Sequence, residues 1–285
     1  MTDLHTHSTA SDGKFSPSAL MEEAARRGLS SIALTDHDTI GGLAEAAQAA
    51  QDLKIHFIPG IELEIAMGSE GQNPAPGEFH LLGLGIHKPS AAFLEAVDEL
   101  ARRREGRNKI ILGKMREAGI DVHYEDIKAL GGDSIGRPHF AAFLVDRGIV
   151  KNIEEAFSRY LGKDKPFYMP KEGLEFNRAA ALIKESGGAV ILAHPMSLYV
   201  AWGKLPGLIE ALKERGLDGI EAWHPIAKES ACLRLRDLGK KLGLIVTAGS
   251  DFHGNERRRK LGVTAGERKI DDSYLEGLEP FIHPG

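Results

Sequence analysis

The sequence predicts an α/β fold built on a largely parallel sheet or barrel. Short apolar runs of strand length recur seven times, and helical patterns with clear start and stop signals separate several of them. With 285 residues and 42% apolar side chains, the chain is long enough for one large core, or for one domain with a smaller one set into it.

In chain order, the first strand is expected at Asp3–Thr6. A helix follows, opened by Ser16-Pro17 as cap and first-turn proline and closed by Arg26-Arg27-Gly28. Next come a strand at Ser31–Thr35, a helix over 39–52 and a strand at Ile55–Ile65. The connection Gly68 to Gly77 has no helical pattern, so Ile55–Ile65 and Glu78–Ile86 are expected to pair as a long antiparallel hairpin. From about 95 to 170 the pattern is helical, with Leu100, Ile110, Ile111, Met115, Phe140, Phe143 and Leu144 as apolar positions. Its first helix carries Arg102, Arg103, Arg104, Arg107 and Lys109. This stretch reads as a helical insertion, 96–170, over the mouth of a barrel formed by 1–95 and 171–285. The alternative is a part of the same core with a solvated basic face. A helix over 175–186, ended by Gly187-Gly188, precedes strands at Ala189–Ala193, Gly219–Trp223 and Leu244–Ala248.

The balance of charge, −5, gives no reason to expect a polyanion-binding surface or a stable duplex nucleic-acid partner. Cys232 is the single cysteine, so no disulfide framework exists within the chain. With no signal-peptide pattern and no apolar run long enough to span a bilayer, a cytoplasmic protein without a membrane partner is expected. Oligomeric state is not readable.

The chemistry-bearing residues sit at strand ends. A His5-x-His7 pair says little in a chain with 12 histidines. Yet further metal-seeking groups follow at Thr35-Asp36-His37-Asp38, Gly60-Ile61-Glu62, His80, His194-Pro195 and Gly249-Ser250-Asp251-Phe252-His253. The carboxyl ends of strands converge on the functional face of barrels and open α/β sheets, so these groups are expected to meet. The hairpin would bring Glu62 within reach of His80. Burying so many ionisable groups without partners would be very costly, whereas shared metal ions satisfy them. Mixed nitrogen and oxygen donors suit Mn, Fe or Zn. His224, after the Gly219–Trp223 strand, is a candidate for facing the same site. No phosphate-cradling glycine loop, dinucleotide fingerprint or supported Ser-His-Asp arrangement is present.

DLHTHS, TDHD, PGIE, AHP and GSDFH, in that order, resemble the PHP (polymerase and histidinol phosphatase) family of metal-dependent phosphoesterases over essentially the whole chain. The resemblance implies a distorted seven-stranded β/α barrel with three divalent metal ions. It places His5, His7, Glu62 and Asp251 around one ion. Glu62, as a bridge, joins His80 and His194 around a second, and Asp12, His37 and His253 surround the third. Some members have histidine where this chain has Asp12, which shifts that position toward harder metals. Asp36 and Asp38 are candidates for orienting imidazoles, with capping of the following helix as the alternative.

Gly136-Arg137-Pro138-His139 and Tyr168-Met169-Pro170-Lys171 resemble motifs of nucleoside 3′,5′-bisphosphate phosphatases, whose relatives trim short oligoribonucleotides from the 5′ end. Arg137 is suited to gripping a phosphate bidentately, His139 to donating to the same oxygens and Lys171 to acting as a point charge. Their alternatives are helix capping for Arg137 and His139 and a solvated surface position for Lys171. The expected reaction is in-line attack on phosphorus by a metal-bound hydroxide, the substrate being a nucleotide or short oligoribonucleotide. His194 is a candidate general acid, but a ligating imidazole is a poor acid and metal-bound water is preferred. Alternatives are another small phosphoester such as histidinol phosphate, an amide hydrolase of the amidohydrolase barrel class, and a non-catalytic metal-binding regulatory protein. A glutamate in place of a bridging lysine speaks against the second, and the filled ligand positions against the third.

Overall fold

Seven strands form one sheet in chain order: β1 (Thr2–Asp3), β2 (Ser31–Leu34), β3 (His56–Glu64), β4 (His80–Leu84), β5 (Ala189–Leu192), β6 (Gly219–Trp223) and β7 (Ile245–Ala248). The coordinates are a computed structural model describing residues 1–66, 77–131, 135–255 and 259–282. Past the ends of β1 and β7 the chain bridges in parallel between Thr6 and Phe252, where the His7 N–H donates to the Phe252 carbonyl at 3.0 Å. The sheet is thereby a nearly closed barrel. The expected hairpin is present: β4 runs antiparallel to both β3 and β5, and every other pair is parallel. Its tip, apart from Gly77, lies outside the described residues.

The local signals explain the outer helices. Helix α1 (Pro17–Arg26) starts where Ser16 Oγ accepts the Ala19 N–H and Pro17 occupies the first turn. Helix α2 (Leu43–Leu53) starts later than its sequence pattern, because Asp38 takes a positive φ of 50° and the chain turns again through Gly41-Gly42. Leu4, Ala33, Ile58, Leu82, Leu84 and Ile191 fill the barrel, and Leu278 and Ile282 pack against them. Helices α8 (Leu205–Glu214) and α9 (Glu229–Leu242) connect β5 to β6 and β6 to β7, and Cys232 is buried in α9 as packing.

Between β4 and β5 the chain forms α3 (Ala91–Glu117), α4 (Tyr124–Gly131), α5 (Arg137–Asp146), α6 (Ile153–Ala156) running into one π-turn, and α7 (Phe176–Glu185). Ile111, Met115, Phe140, Phe143, Leu144 and Phe167 form an apolar cluster of their own. Phe93, Ala96 and Leu100 instead belong to the barrel's cluster. Residue 96, the expected boundary, therefore falls inside a continuous helix, and packing passes from one core to the other between Leu100 and Ile111. Ile110, expected in the core, is 47% exposed. Among the described residues no helix is long and apolar enough to cross a membrane.

Candidate metal centre and substrate cavity

The strand ends meet around one carboxylate. Glu62 is buried, and its Oε1 lies 2.8 Å from His80 Nδ1 and 2.9 Å from His194 Nε2. Its Oε2 lies 3.3 Å from Nε2 of both His5 and His7 and 2.9 Å from His37 Nδ1. Asp251 Oδ1 approaches His7 Nε2 at 3.0 Å and His5 Nε2 at 3.5 Å. Beside them, Asp12 Oδ1 lies 3.1 Å from His253 Nε2 and 3.9 Å from His37 Nε2. All nine residues expected as ligands are thus brought to one pole of the barrel. Their backbone is strained there: His194 and Asp251, neither of them glycine, hold positive φ of 29° and 51°.

The donor set fits divalent cations. His5 Nε2, both His7 nitrogens, Asp12 Oδ1, Glu62 Oε2 and Asp251 Oδ1 are buried and have no hydrogen-bond partner among the described residues. Buried lone pairs aimed at one another are unfavourable in a protein interior unless something positive lies between them. Ligand atoms of His5, His7, Glu62 and Asp251 lie within 4.8 Å of one another, as do those of His7, Asp12, His37 and His253.

The electrostatics set a proton linkage. Burial, then the neighbouring His253 and His37, push the His7 imidazole down to about 3, which keeps it neutral and ready to ligate. Burial opposes charge on His253 as well, but Asp12 and Asp251 outweigh it and carry that imidazole up to about 9. A cation held at His253 would therefore compete with a proton. Calorimetric titration of Mn into metal-free protein at pH 7, in buffers of different ionisation heat, should show release of at least one proton. Apparent affinity should rise about tenfold per pH unit up to pH 9 for that proton alone. Uptake without proton release would contradict the arrangement.

Other carboxylates expected to orient imidazoles do something else. Asp36 accepts from Ser8 N, Ser8 Oγ and Ser11 Oγ at 2.7, 2.6 and 2.5 Å, so it ties down the loop that presents Asp12. Asp38 pairs with Arg104 Nη2 at 2.5 Å and accepts the Glu64 N–H at 2.9 Å. Among the described residues neither bonds an imidazole or caps α2. The imidazole partners are residues the sequence reading passed over: Glu221 on His5 Nδ1 at 3.0 Å, Glu64 on His80 Nε2 at 2.8 Å and Ser197 on His194 Nδ1 at 2.6 Å. Glu64 had a signal, since it shares the face of Glu62 by the two-residue strand period. His224, expected to face the site, contacts Asp251 Oδ2 at 3.1 Å.

Above these donors lies a cavity of about 250 Å³ with an acidic and imidazole floor and a basic roof. Arg103, Arg104 and Arg107 of α3, Arg137 of α5, Lys171 and Arg259 all line it. Arg104 also donates to the His37 carbonyl at 3.0 Å, which fastens α3 to the floor. Arg137 stands 5.7 Å over the Tyr168 ring and 6.0 Å over Phe157, with Glu78 at 3.9 Å. Lys171 Nζ pairs with Glu64 at 2.5 Å, so it is no free surface lysine. His139 is buried and is not among the residues lining the cavity. Its Nδ1 accepts the Gly136 N–H at 2.9 Å and closes the first turn of α5, which begins at Arg137. Arg107 Nε is buried without a hydrogen-bond partner, and burial, then Arg104 and Arg137, pull its guanidinium down to about 10.

The family model described as PHP domain matches residues 3–178. A 5′-3′ exoribonuclease of Haemophilus influenzae is 36% identical over 251 residues, covering 88% of this chain and 89% of that one. A 3′,5′-nucleoside bisphosphate phosphatase of Chromobacterium violaceum is 31% identical over 290 residues, covering 99% and 94%. The structure of an amidohydrolase from Chromobacterium violaceum, with bound sulfate and no metal, matches with a TM-score of 0.86 at 29% identity, covering 98% of this chain and 96% of that one. The family model covers the first four strands and most of the helical segment, and the Chromobacterium violaceum phosphatase and structure match essentially the whole chain: the chain belongs to the PHP family.

Proposed function

We propose that this protein is a metal-dependent phosphoesterase that removes the 3′-phosphate of nucleoside 3′,5′-bisphosphates, cleaves the 5′-terminal linkage of short RNA, or does both. One observation carries the reading. A convergent set of buried imidazoles and carboxylates lines one cavity together with the guanidinium groups of Arg103, Arg104, Arg107 and Arg137, and the buried Arg107 Nε has no hydrogen-bond partner among the described residues. A substrate with two phosphates fits both: one at the floor, one at the roof. The exoribonuclease and bisphosphate-phosphatase relatives support it.

In this reading the nine donors would hold three divalent ions: His5, His7, Glu62 and Asp251 would hold the first, Glu62, His80 and His194 the second, and Asp12, His37 and His253 the third. Such ions lower the pKa of bound water toward about 7 and neutralise charge on the phosphoryl oxygens. Arg137, with Arg107 beside it, grips the distal phosphate as a planar fork, and the Phe157 and Tyr168 rings hold Arg137 in place. Lys171 adds a positive point charge, already shared with Glu64. The helical segment beyond Leu100, packed on its own apolar cluster, acts as the cap that brings the basic roof. Both His194 nitrogens are engaged, by Ser197 and Glu62, so neither is free to serve a leaving group and solvent water is the better general acid.

A panel of phosphate esters assayed with added Mn should show hydrolysis of nucleoside 3′,5′-bisphosphates or short 5′-phosphorylated RNA above that of simple monoesters. Arg137→Ala removes a charge-assisted grip of about 1.5–3 kcal/mol, so kcat/KM for the bisphosphate should fall roughly 10- to 150-fold. Turnover of a substrate with one phosphate should change little. Equal loss on both substrates would move Arg137 out of distal-phosphate binding, and no hydrolysis of any ester would end the reading.

A further inference from the structure

We infer that Glu221 is a positioning residue that locks His5 into the one tautomer able to ligate a metal, and that the same carboxylate sets the position of His194. The inference rests on reading the site as a metal centre. Glu221, on β6, is buried, and each of its oxygens has one donor. Oε1 lies 3.0 Å from His5 Nδ1, and Oε2 accepts the His194 backbone N–H at 2.7 Å. One side chain thus ties together residues from two strand ends that are far apart in the chain. His194 holds a positive φ of 29°, a conformation that needs such an anchor. The close approach is built in at Gly249, where a Cβ would lie 2.3 Å from His5 Cβ and 2.5 Å from Glu221 Oε1.

The hydrogen-bond chemistry has one solution. An ionised carboxylate only accepts, so in the metal-binding form His5 keeps its one proton on Nδ1. The Nε2 lone pair then points toward Glu62 Oε2 and Asp251 Oδ1, where it has no hydrogen-bond partner. A glutamine of the same shape has one acceptor and one donor end. The His194 amide is a fixed donor and claims the glutamine oxygen. The glutamine NH2 then faces His5 Nδ1, which must accept, and the His5 proton moves to Nε2 and blocks the ligating atom. The isosteric change should therefore be worse than the shorter one that keeps two acceptors.

The test uses the full chain loaded with Zn and dialysed against graded chelator, with metal read by elemental analysis. Glu221→Gln should lose metal at 10- to 100-fold lower chelator strength than the parent. Glu221→Asp should lie closer to the parent. In a His5→Ala background the additional effect of Glu221→Gln should largely vanish, because its oxygen still serves His194. Equal retention in Glu221→Gln and parent would overturn the inference, as would a full Glu221→Gln loss persisting in the His5→Ala background. If Glu221→Gln does not fold, the Zn-loaded parent decides by nitrogen–proton correlation NMR of the His5 ring. A proton on Nδ1 upholds the inference and one on Nε2 overturns it. A parent that binds no Zn at all would instead bring down the metal-centre reading beneath it.

Discussion

Glu62→Gln should abolish turnover in practice, with a fall on the order of 10³-fold, and should strip the protein of most of its metal. The magnitude follows from removing several kcal/mol of charge stabilisation, at about 1.4 kcal/mol per tenfold in rate. The geometry explains why this site is so sensitive. His5, His7, His37, His80 and His194 all place a nitrogen within 3.3 Å of the two Glu62 oxygens. Burial disfavours charge on Glu62, yet His37, His5 and His80 around it outweigh burial and hold its carboxyl well below the usual range. An amide there presents one acceptor and two donors to a ring of groups that need an anion. Steady-state kinetics and elemental analysis of the same preparation check this. A variant that keeps its full metal complement and its rate would show that Glu62 bridges nothing.

Gly249→Ala should be nearly as damaging, although it adds only one methyl group. Its Cβ would lie 2.3 Å from His5 Cβ, 2.5 Å from Glu221 Oε1 and 3.1 Å from the His5 backbone nitrogen. Two of these atoms belong to the His5 backbone and Cβ, and the third, the Glu221 carboxylate, is held by His5 and the His194 amide. Either the end of β1 moves off the barrel axis or Glu221 leaves His5. Overpacking of this kind costs about 3 kcal/mol, which for a chain of this size lowers the melting temperature by roughly 6–12 °C. Metal retention should fall in parallel, because His5 is displaced. Thermal melting with and without added Zn separates the two effects. An unchanged melting point and unchanged metal content would show that the barrel mouth absorbs the added methyl group.

Part of this was readable along the chain because the signals are local. Ser16 and Pro17 start α1 through groups within three residues, and seven apolar runs map onto seven strands within one or two residues at most ends. The hairpin followed from a connection too irregular for a parallel crossover, and it duly set Glu62 beside His80. Motif order pointed to the nine donors now found at one pole.

Other features depend on meetings across long stretches of chain, which no window of sequence contains. His5 and Glu221 are 216 positions apart, so a glutamate inside a strand read as ordinary alternation until the barrel closed around it. Asp36 and Asp38 looked like imidazole supports because they flank His37. Folding instead turned one toward Ser8 and Ser11 and the other toward Arg104, since each carboxylate takes whichever donors the neighbouring loop and helix bring. His139 sat in a phosphate-like motif, yet the start of α5 engaged its ring at Gly136. Residue type and spacing thus settled which chemistry this chain carries. Pairing within the closed barrel settled which nitrogen points where, because a hydrogen bond depends on direction and distance, and those exist only after distant strands have been packed together.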